Sequence, residues 1–228
     1  MAIRLAVFDL AGTTVNDEDS VNRCLRASLE AVGLAVGRGA VNDLMGLPKP
    51  IAIQRLIEPS PGHQHLLARI DEIHDDFVSR MVRFYQTDAS VFEIAGTSEV
   101  FASLGQAGIT VAVNTGFFRN VTGPLLQRLG WEKKGLIQAS IASDEAPRGR
   151  PHPDMIQLLM ERFDVRDARQ VAKIGDTPAD LQEGTNAGCG VVVGVTRGSH
   201  TREQLDPHPH THLIGTIAEL PAILGIAK

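Results

Sequence analysis

The chain has little cysteine. Its two residues, Cys24 and Cys189, lie far apart and lack the paired spacing of a metal knuckle or a redox motif, which excludes a disulfide framework and points to a reducing compartment. Both are read as buried thiols. There is no excess of positive charge either: 22 Lys and Arg against 27 Asp and Glu leave a formal charge of -5. Nothing in that balance recruits nucleic acid or an anionic membrane, so any cation serving an anionic ligand must act locally. The sequence also lacks a run approaching the length of a membrane span, a low-complexity tract and an internal repeat. The opening Met1-Ala2-Ile3-Arg4 passes straight into an apolar segment without the h-region of a leader, so an untargeted, cytoplasmic protein is expected.

What is present suits a globular enzyme-sized chain. With 228 residues, 43% of them hydrophobic, it can bury a substantial core in one large domain or a domain with an insertion. Ile3 to Phe8 is short, apolar and closed by a glycine turn, as expected of a strand buried on both faces of a parallel sheet. Ile109 to Asn114, Leu136 to Ala142, Val171 to Gly175 and Gly190 to Val195 repeat the pattern, with helical stretches between most of them. That alternation predicts an α/β fold, a Rossmann-like doubly wound parallel sheet. Ligands in such sheets sit beyond the carboxyl ends of the strands, where Asp9, Thr115 and Asp176 fall.

One stretch breaks the alternation. From about Asn16 to Val91 the chain reads as helices only, at Ser20 to Val32, Pro50 to Leu56 and Gly62 to Tyr85. The expected organisation is a core of residues 1–15 and 92–228 with a helical domain of residues 16–91 inserted after the first strand.

Four segments carry groups suited to phosphate chemistry. Asp9, followed by Gly12-Thr13-Thr14, places a carboxylate on a tight turn with backbone amides near enough to hold an anion; the alternative is a helix-capping Asp. Thr115-Gly116 offers a hydroxyl and an amide to phosphoryl oxygens, or is simply a Thr-Gly turn. Arg150, in Arg148-Gly149-Arg150-Pro151-His152-Pro153, has the planar fork to neutralise a nucleophile and a phosphoryl group together; Arg148 and His152 read as solvated loop residues. Asp176 and Asp180 face one site at the start of a helix. With Asp9 they supply the hard oxygens that suit magnesium, although an Asp-Pro turn and a helix cap also account for the pair.

Taken in order, Asp9, Thr115, Arg150 and Asp176 with Asp180 resemble the four motifs of the haloacid dehalogenase superfamily, and the match spans the whole chain. The resemblance implies an aspartyl-phosphate on Asp9, Mg2+ held by Asp9, the Ala11 carbonyl, Asp176 and Asp180, a helical cap, and a homodimer through that cap. Many members that cleave phosphate esters keep an acid two residues after the nucleophile to protonate the leaving oxygen. Here that residue is Ala11, so the acid lies elsewhere, the leaving group needs none, or hydrolysis is lost.

Asp-x-Ala-Gly-Thr-Thr is similar to the phosphonatase branch, and Met45-Gly46-Leu47-Pro48-Lys49 is similar to the segment whose lysine forms a Schiff base with a phosphonate aldehyde. An iminium on Lys49 would accept the electrons of a breaking carbon-phosphorus bond, so no proton donor is needed at position 11. Otherwise Lys49 steers an anionic substrate by charge. Two residues depart from the branch: Ala52 stands where phosphonatases carry histidine, and Asp19 where they carry cysteine. Those departures keep open a phosphatase acting on a small ester or anhydride, with Asp17, Glu18 or Asp19 as acid, and a non-catalytic phosphate-binding protein.

Overall fold

The computed structural model describes residues 2–226. Its first strand, β1 (Leu5–Phe8), is followed by four helices in succession: α1 (Ser20–Ala31), α2 (Arg38–Asn42), α3 (Lys49–Ile57) and α4 (Ile70–Thr87). The alternating part then begins with α5 (Thr97–Gln106), β2 (Thr110–Asn114), α6 (Arg119–Leu129), β3 (Ala139–Ile141), α7 (Asp154–Arg162), β4 (Val171–Gly175), α8 (Pro178–Ala187) and β5 (Val191–Val195). It closes with α9 (Arg202–Leu205), β6 (His212–Ile214) and α10 (Leu220–Ile223).

The strands form one six-stranded parallel sheet in the order β3-β2-β1-β4-β5-β6, the α/β Rossmann-like architecture expected. Side chains of β1 alternate between the two faces because successive Cβ atoms in a strand point oppositely. Leu5 and Val7 pack with Met155, Ile156 and Leu159 of α7. Ala6 and Phe8 join a second core with Phe101 and Leu104 of α5, where the Phe8 and Phe101 rings meet edge to face at 4.9 Å. A strand covered on both sides has no polar face, which is why Leu-Ala-Val-Phe is apolar throughout.

Strand order reverses at β1: β2 and β3 lie to one side, β4 to β6 to the other. Val7 is registered between Ala112 and Lys173, and the Asp9 amide donates to the Ile174 carbonyl at 2.9 Å. The ends of β1 and β4 therefore open a crevice at the switch point, the place where this architecture binds ligands.

Several elements differ from the sequence reading. Leu136 to Ala142 contributes only a three-residue strand, because Leu136 and Ile137 turn into the core before β3 joins the sheet edge. Gly62 to Tyr85 divides into a 3-10 turn at Gln64–Arg69 and α4. Helix α2 and strand β6 lack sequence periodicity; β6 is an edge strand held only by β5. Cys24 and Cys189 are half-buried rather than buried, and burial pushes the Cys189 thiol up to about 12, so it stays protonated. No helix among the described residues is long and apolar enough to cross a membrane.

Candidate active site

A small, partly open cavity lies beyond the ends of β1 and β2 and under the helices that follow β1. Its walls come from Asp9, Ala11, Asp17, Val21, Met45, Gly46, Lys49, Thr115, Gly116, Phe117, Thr177 and Ser199. At about 30 Å3 it has room for roughly two waters. The helices between β1 and β2 are thus drawn down over the strand ends. Gly116 permits this closeness: a Cβ there would stand 2.7 Å from the Gly46 carbonyl and 2.8 Å from that of Leu47.

Asp9 stands at the floor, 6% exposed. Its Oδ1 accepts from Arg150 Nη1 at 2.7 Å. Burial raises its carboxyl to about 6, with Asp180 adding to the rise while Arg150 and Lys173 oppose it. Behind it Asp180 Oδ1 lies 2.8 Å from Arg150 Nη1 and 2.9 Å from Lys173 Nζ, charge contacts without hydrogen-bond geometry, and Oδ2 accepts from the Thr177 hydroxyl at 2.5 Å. Burial alone would raise Asp180, but the two cations outweigh it and hold it below the ordinary carboxylate value.

Arg150 is placed differently from the sequence reading. Beyond its bond to Asp9, Nε donates to Glu183 Oε2 at 3.0 Å, and Nη2 donates to the Asn114 carbonyl at 2.8 Å and to its Oδ1 at 2.6 Å. The fork is therefore filled by protein oxygens, and the residue stands behind Asp9 rather than in the cavity wall. It neutralises the carboxylate but does not present two free donors to a ligand. Lys173 and Glu183 complete this buried cluster, with Lys173 Nζ donating to Asn114 Oδ1 at 2.7 Å. No motif singles them out. Their signal in the sequence is a lone charge inside the apolar strand Val171-Ala172-Lys173-Ile174 and an acid on the same face of α8 as Asp180.

The anion-holding amides also shift. Those of Gly12, Thr13 and Thr14 turn inward to the carbonyls of Val15 and Leu10, at 2.8, 3.3 and 2.9 Å, which corrects the expected cradle. The amides of Leu10, Ala11 and Gly116 have no hydrogen-bond partner among the described residues, and Ala11, Gly116 and Thr115 line the cavity. The Thr13 hydroxyl instead donates to Asp176 Oδ1 at 3.0 Å.

Asp176 has no cationic partner among the described residues. Its Oδ2 accepts from the Ser199 amide at 2.5 Å, and a Cβ on Gly12 or Gly198 would fall 2.3 or 2.2 Å from that oxygen. Burial raises it to about 8, and the negative charges of Asp9 and Asp180 add to the effect. Asp9, Asp176 and Asp180 bring oxygens within 4.8 Å of one another. Two buried cations, Arg150 and Lys173, face four buried carboxylates, Asp9, Asp176, Asp180 and Glu183. With all four ionised, two negative charges are left in a desolvated place, and a buried unpaired charge is expensive. A hard divalent cation fits both that charge and the oxygen donors.

Lys49, the first residue of α3, is 3% exposed and reaches the cavity from above. Its Nζ makes no ion pair among the described residues and lies 5.4 Å from the centroid of the Phe117 ring. Burial lowers its amine to about 8, against the pull of Asp9 and Asp17. Met45 packs in the wall beside it. Of the three acids near the start of α1, Asp17 lines this cavity, Glu18 is exposed, and Asp19 bonds Arg38 Nε at 2.8 Å. Ala52 is buried on the same helix as Lys49.

A parallel sheet with a buried acid cluster at its switch point and a lysine above it defines a class, and the chain belongs to the haloacid dehalogenase-like hydrolases: the model of that family matches residues 6–194. Within it, the chain is 27% identical to the phosphonoacetaldehyde hydrolase of Parabacteroides distasonis, over 96% of this chain and 94% of that one. It is 28% identical to the probable phosphatase IndB of Dickeya dadantii, over 95% and 91%. In fold it is similar to the crystal structure of a phosphonoacetaldehyde hydrolase-like protein from Oleispira antarctica, with a TM-score of 0.86 at 22% identity, over 99% of this chain and 92% of that one.

Proposed function

We propose that this hydrolase cleaves the carbon-phosphorus bond of a small phosphonate aldehyde of the phosphonoacetaldehyde type, through a Schiff base on Lys49 and an aspartyl-phosphate on Asp9. The observation that carries the reading is the placement of the Lys49 amine, unpaired and with its proton weakened by burial, in one small cavity with Asp9 and with Ala11 in place of an acid. The neutral amine condenses with the aldehyde. Asp9 then attacks phosphorus, the carbon-phosphorus pair moves into the carbon-carbon bond of an enamine, and the nitrogen takes up the iminium electrons. The leaving group departs as an enamine, which needs no proton from position 11. The enamine carbon then takes a proton from solvent to give an imine, and water hydrolyses the aspartyl-phosphate and that imine, releasing phosphate, the aldehyde product and free Lys49.

The amides of Leu10, Ala11 and Gly116 and the Thr115 hydroxyl bind the phosphoryl oxygens. Gly12 and Thr13 hold Asp176 in place, and Met45 shapes the wall beside the aldehyde. Arg150 keeps Asp9 ionised and aimed. Asp9, Asp176 and the Ala11 carbonyl are assigned to Mg2+, which when bound supplies charge stabilisation to the transferring phosphoryl group. Asp180 belongs to the same cluster, and its charge contacts with Arg150 and Lys173 and its bond from Thr177 suit it to orient the site rather than to ligate. Residues 16–91 act as a cap on the core of residues 1–15 and 92–228, opening to admit substrate and closing to exclude water. The exposed Ile51 and Leu67 on that cap support its use in a homodimer, and the reducing chemistry of the free thiols supports a cytoplasmic setting.

A second reading has its own support. Ala52 and Asp19 lack the side chains that phosphonatases carry there, and one relative is named a probable phosphatase. In that case the Asp9 intermediate forms from a small phosphate ester or anhydride and Lys49 only binds the anion. Phosphate release from phosphonoacetaldehyde, with reductive trapping by cyanoborohydride and mass analysis of the peptide bearing Lys49, separates the two. An adduct with carbon-phosphorus turnover supports the first reading. Turnover of phosphate esters alone, without adduct, supports the second.

A further inference from the structure

We propose that Asp17 is the proton carrier for Lys49, moving both protons lost by the lysine nitrogen to the aldehyde oxygen as the Schiff base forms. This rests on the covalent reading above.

The geometry isolates Asp17 for the task. It lines the cavity that holds Lys49 and Asp9, while Glu18 faces solvent and Asp19 is paired with Arg38. The amides of Ser20 and Val21 donate to its Oδ1 at 2.8 and 3.1 Å. That fixes the carboxylate and leaves Oδ2 with no hydrogen-bond partner among the described residues. Asp9 is engaged by Arg150 and committed to phosphorus, and His74 packs against Phe118 outside the cavity wall. Asp17 also lines an adjoining polar chamber of about 60 Å3 with Asp19, Asn22 and Arg38. Burial raises its carboxyl above the ordinary value, although the Val21 and Ser20 amides and the Lys49 amine oppose the rise, so its proton affinity moves toward that of the amine it serves.

The step balances without another reagent. Lys49 begins as an ammonium and ends as a protonated imine, so nitrogen loses two protons and the oxygen leaving as water gains two. Asp17 takes the first from the ammonium; the freed lone pair forms the carbon-nitrogen bond, the carbonyl pair moves to oxygen, and Asp17 delivers its proton there. It takes the second from the cationic carbinolamine nitrogen and gives it to the hydroxyl. The carbon-oxygen bond breaks with its electron pair on water, the nitrogen lone pair closes the double bond, and Asp17 is again a carboxylate.

Asp17→Asn keeps an Oδ1 for the Ser20 and Val21 amides but carries no proton. The experiment measures the rate of cyanoborohydride-trapped adduct on Lys49 with phosphonoacetaldehyde, beside the thermal melting of each protein. Trapping slowed by about 100-fold or more, with melting unchanged, supports the carrier role. Trapping within a few-fold of wild type overturns it and leaves the covalent reading standing. A wild type that forms no adduct overturns the covalent reading and this proposal with it. Should Asp17→Asn fail to fold, Asp17→Ala with added formate decides: recovery of trapping supports the role, and no recovery overturns it.

Discussion

Arg150 Nη1 donates to Asp9 Oδ1 across 2.7 Å, and the two side chains are 0% and 8% exposed. In so dry a place the pair is worth little net over an apolar replacement of both, but the loss of one partner strands the other. Arg150→Met leaves Asp9, Asp180 and Glu183 short of a cation together. A loss of about 3–5 kcal/mol is expected, read as a lower urea midpoint at an unchanged slope.

Asp9→Asn retains the size of the side chain and removes the nucleophile. Phosphate release falls to background with every substrate the wild type accepts. Turnover that survives the substitution excludes an aspartyl-phosphate on Asp9, whereas a wild type inactive on every phosphorylated compound favours the non-catalytic binding protein.

The acid cluster should make stability depend on pH and, if it takes Mg2+ as proposed, on that ion as well. Asp9 at about 6 and Asp176 at about 8 both lie above the ordinary 3.8, so the folded state binds more protons than the unfolded chain between those values. Their contribution is present at low pH and is lost as pH rises through about 6 and then about 8. Chelated protein should therefore lose melting temperature across that window from this source. Mg2+ at about 100 times its dissociation constant should restore about 2.7 kcal/mol at the alkaline end. Equal melting with and without Mg2+ at pH 8.5 contradicts the assignment.

Lys49 titrates in the opposite sense. Its amine is lowered to about 8, so the reactive neutral form increases about tenfold per unit below pH 8 and levels off above it. Adduct formation in Asp17→Asn, which lacks the carrier and draws only on amine already neutral, should follow that curve. A midpoint near that of an ordinary lysine removes the argument for a prepared nucleophile, and Lys49→Arg should abolish trapping altogether.

Gly116→Ala tests closure. The added methyl meets the carbonyls of Gly46 and Leu47, which are backbone and cannot rotate aside. We expect a raised KM with a lowered kcat and a melting temperature within a few degrees of wild type. Unchanged kinetics would show that the seam can widen without cost.

By itself the sequence determined β1 to β5, because burial on both sides demands unbroken apolar runs such as Leu5–Phe8 and Val191–Val195, while the edge strand β6 carries no such run. It also determined that Asp9, Thr115 and Asp176 emerge at one sheet edge, since parallel strands end on the same side. Short-range signals of that kind survive in a linear reading. Only the tertiary structure decided which groups remain free. The amides of Gly12, Thr13 and Thr14 are taken up inside their own turn, the Arg150 fork is filled by Asp9, Asn114 and Glu183, and Asp17 rather than Asp19 reaches the cavity. Each outcome depends on donors and acceptors brought together from distant segments, and hydrogen bonds saturate: once a partner is found across the fold, no spacing along the chain reveals that the group is occupied.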